Sequence, residues 1–394
     1  LLPVPAALPG QTISVSVADI TASGVVGGTV GRTVQNSDGS QSYTTTAQRW
    51  LRTPGGWRRQ QLARPTGTRS SSLSGLTDSG EAAGLLADAD GRSRAVRWSL
   101  DGRSTVVLGE PDSNVTAVGP DGPWGVHTTE PGAIPGSSEL VDRDGRRTPL
   151  TGTPELDAGY DRTVLSLAGS RTALIGVRDG VGRGTYVTPV IYRDGATLAL
   201  PVVFSFMGGT TCLSPVQPDG SMVYSGIRVV GGVPQSVFVR HVGGVPGQDV
   251  LIADVGTIGS PSATLGCDQN GVFDRLAADG GVAGTVPVPA GTGWVNQGAY
   301  WDASGARTLL PLGLGERSSV GVAVATRGRM IVRAETDAGS RLSLWRRGVR
   351  TPLTLPSGWT GGAIVEFTDT GLLVGTASDA AGLTRPVVWD LATR

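Results

Sequence analysis

The chain has 394 residues, of which 61 are Gly and 25 are Pro. Turn formers at about a fifth of the chain would interrupt helices every few residues, which excludes a helical fold, while 39% hydrophobic residues supply enough apolar surface for a core. The 33 basic and 33 acidic residues balance, every basic residue is Arg, and the basic excess or stripe of a nucleic-acid binder is missing.

Two Cys and two His cannot supply the four closely spaced ligands of a structural zinc site, and no haem-attachment motif occurs. A single Cys pair in a chain this long fits one disulfide in an exported protein. The chain starts at Leu1 rather than Met, which reads as a mature form after signal-peptide removal, and the expected location is extracellular. No run of 18 apolar residues occurs, so no membrane span is expected; Pro201 interrupts the most apolar stretch, Thr197 to Met207.

Taken in chain order, the elements repeat. A short apolar segment at Leu1–Leu8 comes first, followed by eight units near 13–65, 71–111, 113–151, 160–201, 212–254, 270–312, 318–356 and 362–391. Each unit has a first turn: Thr21 to Gly24, Thr77 to Gly80, Pro120 to Gly122, Ala168 to Ser170, Pro218 to Gly220, Ala278 to Gly280, Thr326 to Gly328 and Thr368 to Gly371. Asp bonds its own backbone in such turns and Gly supplies positive φ. A third segment then ends at Trp50, Trp98, Val141, Tyr192, Val239, Trp301, Trp345 and Trp389, a spacing of roughly 48 residues, and five of the nine Trp fall in this register. The units close on Leu-rich segments such as Arg103 to Leu108, Ala196 to Leu200, Arg307 to Leu312 and Arg350 to Leu355.

Four short strands per unit at this period predict an all-β, eight-bladed β-propeller in a single domain, with four antiparallel strands per blade. The last unit stops after its third strand at Trp389, and Leu1-Leu2-Pro3-Val4 resembles Leu309-Leu310-Pro311-Leu312. The N-terminal segment is therefore expected to pair with the last blade and close the ring, covering edges that a gap would expose.

The Asp-x-Gly turn, the Val-x-Gly strand and the Ala95-Val96-Arg97-Trp98 strand running on to Asp101-Gly102 resemble bacterial extracellular β-propellers with HAF-type repeats, and more distantly the WD-repeat family. The resemblance covers nearly the whole chain and implies the fold; such propellers host many activities.

Function is expected on the face carrying the longer loops, among them Thr128–Gly136, Arg178–Gly184, Pro287–Gln297, Thr151–Arg162, Val202–Thr211 and Thr257–Asn270. Five aromatics outside the strand register fall there: Trp294 in a second-to-third-strand loop, and Tyr160, Phe204, Phe206 and Trp359 in connections between units. Exposed aromatics stack on sugars or anchor protein partners; the competing reading is that each plugs the space above its blade. Trp124 reads as core.

Catalytic patterns are weak. Neither a Gly-x-Ser-x-Gly elbow nor a P-loop occurs, and nothing nominates a Ser partner for His127 or His241. Glu110, Asp112, Glu155, Asp157, Asp161 and Asp268 are the acids from which a hydrolase would be assembled. Asp88 to Gly91 and Asp142 to Gly145 look like calcium-loop fragments but lack the remaining ligands, so no metal or cofactor is expected. Cys212 and Cys267 precede the first strands of the fifth and sixth units, where neighbouring blades would bring them within bridging distance. The sequence thus points to a secreted binding module for a glycan or a protein partner, alone or within a larger extracellular assembly; a secreted hydrolase using loop acids is the alternative.

Overall fold

The structure, a computed structural model of the chain, describes all residues except 130–135, 158–160, 170, 179–185, 201–203, 206–212, 231–232, 244–248, 258–275 and 393–394. The chain is all-β; among the described residues the helical content is one four-residue turn, Pro154–Asp157. It divides into two compact units. The first comprises Leu1–Gly152, Tyr160–Ser170 and Pro356–Arg394; the second comprises Thr153–Gly159 and Arg171–Leu355.

The first unit contains three four-stranded antiparallel meanders. The first sheet runs Gln11–Ile20, Val25–Gln35, Gln41–Thr53 and Gly56–Gln61. The second runs Thr68–Leu76, Ala82–Asp88, Ser93–Trp98 and Thr105–Val107. The third runs Ser113–Val118, Trp124–Thr128, Ser137–Val141 and Arg147–Pro149. The unit also holds the strand Asp161–Ala168 and a C-terminal sheet of Trp359–Phe367, Leu372–Asp379 and Thr384–Asp390. In the second unit, Thr172–Arg178, Tyr186–Arg193 and Ala196–Ala199 pair consecutively, and Phe204–Ser205 adds to Tyr186 and Val187. Sheets spanning 222–257, 282–309 and 316–352 follow.

The predicted turns recur with the same chemistry. In Thr21 to Gly24, the Gly24 N–H donates to Thr21 O and the Val25 N–H donates to Thr21 Oγ1. Gly24 holds φ +86°, which a residue with a Cβ resists. Thr77 with Gly80 and Glu81, and Thr368 with Gly371 and Leu372, repeat the pattern.

The tryptophan register is real. Trp50, Trp98, Trp301, Trp345 and Trp389 are all buried, and each pairs with the second residue after its turn glycine: Val26, Ala82, Val282, Met330 and Leu373. The fifth unit corrects the sequence alignment. The residue opposite Met222, two after Gly220, is His241, whereas Val239 pairs with Tyr224. A buried histidine therefore takes the place that tryptophan holds elsewhere.

A second register lies three residues before the first. The carbonyls of Ala47, Ala95, Ser138, Pro189, Gly298 and Leu342 accept the N–H of Leu62, Leu108, Leu150, Leu200, Leu310 and Leu353, the buried leucines that follow each outer strand. In the C-terminal sheet the matching carbonyl, Pro386 O, accepts the N–H of Leu2 at 2.8 Å. The indoles agree: Trp98 Nε1 donates to Ala63 O, one residue past Leu62, and Trp50 Nε1 donates to Pro3 O, one residue past Leu2. One backbone hydrogen bond thus joins the N-terminal segment to the last strand, and residues 1–10 are not themselves a regular strand.

Cores form between successive sheets. Leu2, Ile13, Val26, Val30, Trp50, Leu372 and Val374 fill the layer between the C-terminal and first sheets. Leu62, Leu73, Leu76, Val96 and Trp98 fill the next layer, and Leu108, Val115, Trp124 and Val141 the one after. In the second unit Ala283, Leu310, Met330, Val332 and Trp345 do the same. Polar side chains lock neighbouring sheets. Buried Ser71 and Ser113 accept the N–H groups of Ala47 and Ala95 from the preceding sheet. At bulges in the first strands, Glu366 accepts the Ile20 N–H and Asp19 accepts the Leu76 N–H.

Candidate functional site

The structure distributes the five aromatic candidates differently from the sequence reading. Tyr160 and Phe206 lie outside the described residues, as do Cys212 and Cys267 with their expected bridge. Phe204 is in the short strand Phe204–Ser205, and only its backbone is described. Trp294 is not in a long loop. Val282–Ala290 and Gly293–Trp301 pair along their whole length, leaving a two-residue turn, and Trp294 stands opposite Pro289 near the hairpin tip. It is 57% exposed, so an aromatic face is available there in the second unit. Trp359 is not in a connection either: it opens the strand Trp359–Phe367, is half-buried, and has the Arg385 guanidinium 5.5 Å from its ring centroid. Trp124 is core, as expected.

Among the candidate catalytic groups, His127, Glu155 and Asp112 make local contacts. His127 Nδ1 lies 3.0 Å from Ser138 Oγ and 3.2 Å from Arg162 O, and the Ser138 hydroxyl donates to that same carbonyl. The hydroxyl proton is therefore committed to the backbone, and the trio fastens the third sheet to the strand Asp161–Ala168. Glu155 accepts from the Thr197 hydroxyl, which holds its carboxyl below the usual range, and Asp112 sits near Arg92. Asp268 lies outside the described residues. Asp88 and Asp142 each accept backbone N–H groups two and four residues on, as turn-forming Asp does.

A site the sequence reading missed lies on the first sheet. Its strands Val25–Gln35 and Gln41–Thr53 are 11 and 13 residues long, against 7 and 6 for their counterparts in the second sheet. Cross-strand pairs fix one face, because side chains alternate. Trp50 opposes Val26 and Arg59; Gln48 opposes Gly28 and Gln61; Thr46 opposes Val30; Thr44 opposes Arg32. The Trp50 end of this face packs into the core against Leu2 and Val374. Beyond it the same face turns polar and borders an open-sided cavity of about 270 Å³ lined by Pro5, Val30, Arg32, Thr44, Thr46, Gln48, Arg59, Gln61 and Arg64.

Gln48 is 3% exposed, and its Oε1 has no hydrogen-bond partner. A buried acceptor left unmet costs about 1–3 kcal/mol. Arg32 is half-buried, while Arg59, Gln61 and Arg64 are exposed at the rim. No carboxylate lines the cavity, and none among the described residues pairs with these three guanidiniums. Arg64 Nη1 donates to Arg69 O, which tethers it.

The neighbouring Arg49 faces the other way and is structural. Its guanidinium donates to Gly80 O in the first turn of the second sheet, to Leu100 O in the third, and to Gln60 Oε1. Arg240 makes the same clamp onto Gly280 O and Ala303 O. Burial pushes both guanidinium pKa values down, and nearby acids oppose this: Asp101 for Arg49, chiefly Asp302 for Arg240.

No family model and no curated protein sequence matches the chain. Among solved structures it is similar to dipeptidyl peptidase 4 of Porphyromonas gingivalis, at 12% identity over 91% of this chain and 56% of that one, with a TM-score of 0.54. It is also similar to acylaminoacyl peptidase of Pyrococcus horikoshii, at 12% identity, 93% and 58% coverage and a TM-score of 0.42. A third likeness is to SapL1 lectin in complex with alpha methyl fucoside, at 12% identity, 88% and 98% coverage and a TM-score of 0.34. The chain spans little more than half the length of the peptidases it matches. At 12% identity to the P. gingivalis enzyme the likeness is one of fold alone, a β-propeller-like succession of four-stranded antiparallel sheets.

Proposed function

We propose that the chain is a secreted binding module built on an eight-bladed β-propeller, and that it recognises a glycan through the cavity on the first sheet. The reading of eight blades rests on the repeated turns and on Leu2, whose N–H meets Pro386 O as Leu62 meets Ala47 O. In this reading the N-terminal segment is the fourth strand of the last blade and closes the ring. An exported chain would also carry the Cys212–Cys267 bridge; two reactive thiols under denaturing, non-reducing conditions would remove that part of the proposal.

The observation that carries the function is Gln48. In the other units the position two residues before the tryptophan register is usually apolar: Val96, Val190, Val239, Ala299 and Val387 are all buried. Where it is polar the group has a partner: Glu139 binds Arg147, and Ser343 accepts from Arg350. Gln48 alone among these described positions has a buried oxygen unmet, and its side chain borders a cavity. A polar residue kept at this otherwise apolar position, on the edge of a cavity, is explained by a ligand that meets its amide. A cavity of about 270 Å³ sits near the lower end of small-ligand pockets, which favours a sugar unit over a flat protein surface. A glycan array probed with the parent chain and with Gln48→Val tests this. Signals lost in the variant support the reading; signals that persist, or no signals from the parent, overturn it.

A further inference from the structure

We propose that the hairpin of the sixth unit, formed by Val282–Ala290 and Gly293–Trp301, is a membrane-surface anchor that seats its tip in the interfacial layer of a lipid bilayer. This is independent of the glycan reading above. No charged residue occurs from Gly280 to Trp301, in a chain where 17% of residues are charged. The ends of the first, second and seventh hairpins instead carry Asp38, Asp90 and Asp337. Turns in water ordinarily use such polar residues. In the sixth, Pro289, Ala290 and Trp294 stand exposed beside a two-residue turn, Gly291-Thr292.

The arrangement of the tip favours a bilayer over a folded partner. Paired residues share a face, faces alternate along a strand, and a strand with one solvated face is apolar on the other only. Here Trp294 pairs with Pro289 on one face, and Val295 pairs with Val288 on the opposite face. A protein surface or a stacked sugar ring covers one face of a hairpin, whereas the interfacial layer of a bilayer surrounds both. The exposed end is also short, six residues from Pro289 to Trp294, against about 20–30 residues a side in a stable protein interface. A sugar site needs converging polar side chains, and the tip offers Thr292 and Asn296. Tryptophan is enriched where membrane meets water, because its ring is apolar and its N–H is polar.

The hairpin also has the reach. Counted from the tryptophan register it carries nine cross-strand pairs, against seven in the seventh-unit hairpin, to which the Gly298 N–H is bonded through Ser319 Oγ. Two further pairs extend the strands by about 7 Å, within the roughly 5–10 Å to which interfacial segments sink. The strand Arg307–Leu309 covers only Ala299 to Trp301, so the outer edge of the tip is left for water, which sets the depth at the hydrated interface rather than the hydrocarbon. The fifth-unit hairpin, clamped to the sixth sheet by Arg240, likewise carries nine pairs and has Val229, Val230, Val233 and Pro234 as its last paired residues.

Flotation of the whole chain with phosphatidylcholine vesicles tests the proposal, with Trp294→Ser and Thr292→Asp as variants and circular dichroism to check that each folds. The parent is expected to float with the vesicles, reversibly and with little dependence on salt, and each variant to lose at least fivefold in bound fraction. Vesicles with brominated acyl chains are expected to quench part of the parent's tryptophan emission and to leave that of Trp294→Ser unchanged. Thr292→Asp adds a charge to an exposed turn without removing a packed side chain, so it decides the question should Trp294→Ser not fold. Binding only to anionic vesicles, and only at low salt, assigns the contact to surface arginines and overturns the proposal. Self-association of the parent that Trp294→Ser abolishes, without flotation, makes the tip a contact between copies and overturns it too. Equal flotation of the parent and both variants, or flotation of none, has the same consequence, and in every case the glycan array is read separately.

Discussion

The first and second sheets share one frame but differ in strand length and at one position beside the tryptophan. Both place an arginine and a tryptophan in sequence, Arg49-Trp50 and Arg97-Trp98, and both bury the tryptophan. In both, a serine of the next sheet accepts the N–H three residues before the tryptophan, and a leucine donates to the carbonyl of that same residue. The difference is Gln48 against Val96: one buried with an unmet oxygen, the other buried in an apolar layer. The serine and leucine bonds of the frame both end on the backbone of the same strand residue, so that part of its chemistry is complete. Gln48 takes no part in those bonds, and its side chain borders the cavity on the longer strands.

The largest test of the shared frame is tryptophan truncation. Trp50→Ala and Trp98→Ala are each expected to cost about 3–5 kcal/mol, read from chemical denaturation. An unchanged denaturation midpoint in either would contradict the common packing role. The next test compares the leucines. Leu62→Ala and Leu2→Ala should each cost about 2–4 kcal/mol, because both are buried and hold matching bonds. If Leu2→Ala leaves stability unchanged while Leu62→Ala does not, the N-terminal segment is not the equivalent of an outer strand.

Gln48→Val turns the first sheet into the second at the position where they differ. It should stabilise the unliganded protein by about 1–2 kcal/mol, since it removes a buried acceptor without a donor, and should abolish ligand binding. A loss of stability would mean that Gln48 belongs to the frame after all. The smallest effect concerns Asp78 in the first turn of the second sheet. Burial, and then the charges of Asp121 and Asp19, push its carboxyl above the ordinary 3.8. The folded chain therefore holds that proton more tightly than the unfolded chain. The resulting stability is complete below 3.8 and is lost as pH rises through the raised value. Asp78→Asn should raise the melting temperature at pH 7, and the gain should vanish in acid; a gain independent of pH would point to a cause other than charge.

Much of the fold was legible because it is local. Gly24, Gly80 and Gly371 mark turns through their own backbone conformation, strands alternate within a few residues, and a tryptophan every 48 residues or so needs no partner to be noticed. The slip at Val239 came from matching apolar residue to apolar residue. The register is counted from Gly220, and that count puts His241 in the tryptophan position. Trp294 and Trp359 were misread as loop residues because strand length depends on which neighbours pair, and Gly-rich or Pro-flanked sequence conceals a strand that tertiary pairing extends.

The repeat, its turns and its apolar registers were determined by the sequence alone, since each is set by side chains within one unit. Only the tertiary structure decided the cavity. Thr44, Thr46 and Gln48 share the Trp50 face, so an alternation of polar residues where other units place valine was visible in the chain. That it bounds a space, that Arg32, Arg59 and Arg64 line it and that Gln48 Oε1 is left unmet all depend on residues brought in by other strands and by the N-terminal segment at Pro5. An unmet hydrogen bond depends on everything around an atom, and the order of residues along the chain does not specify those surroundings.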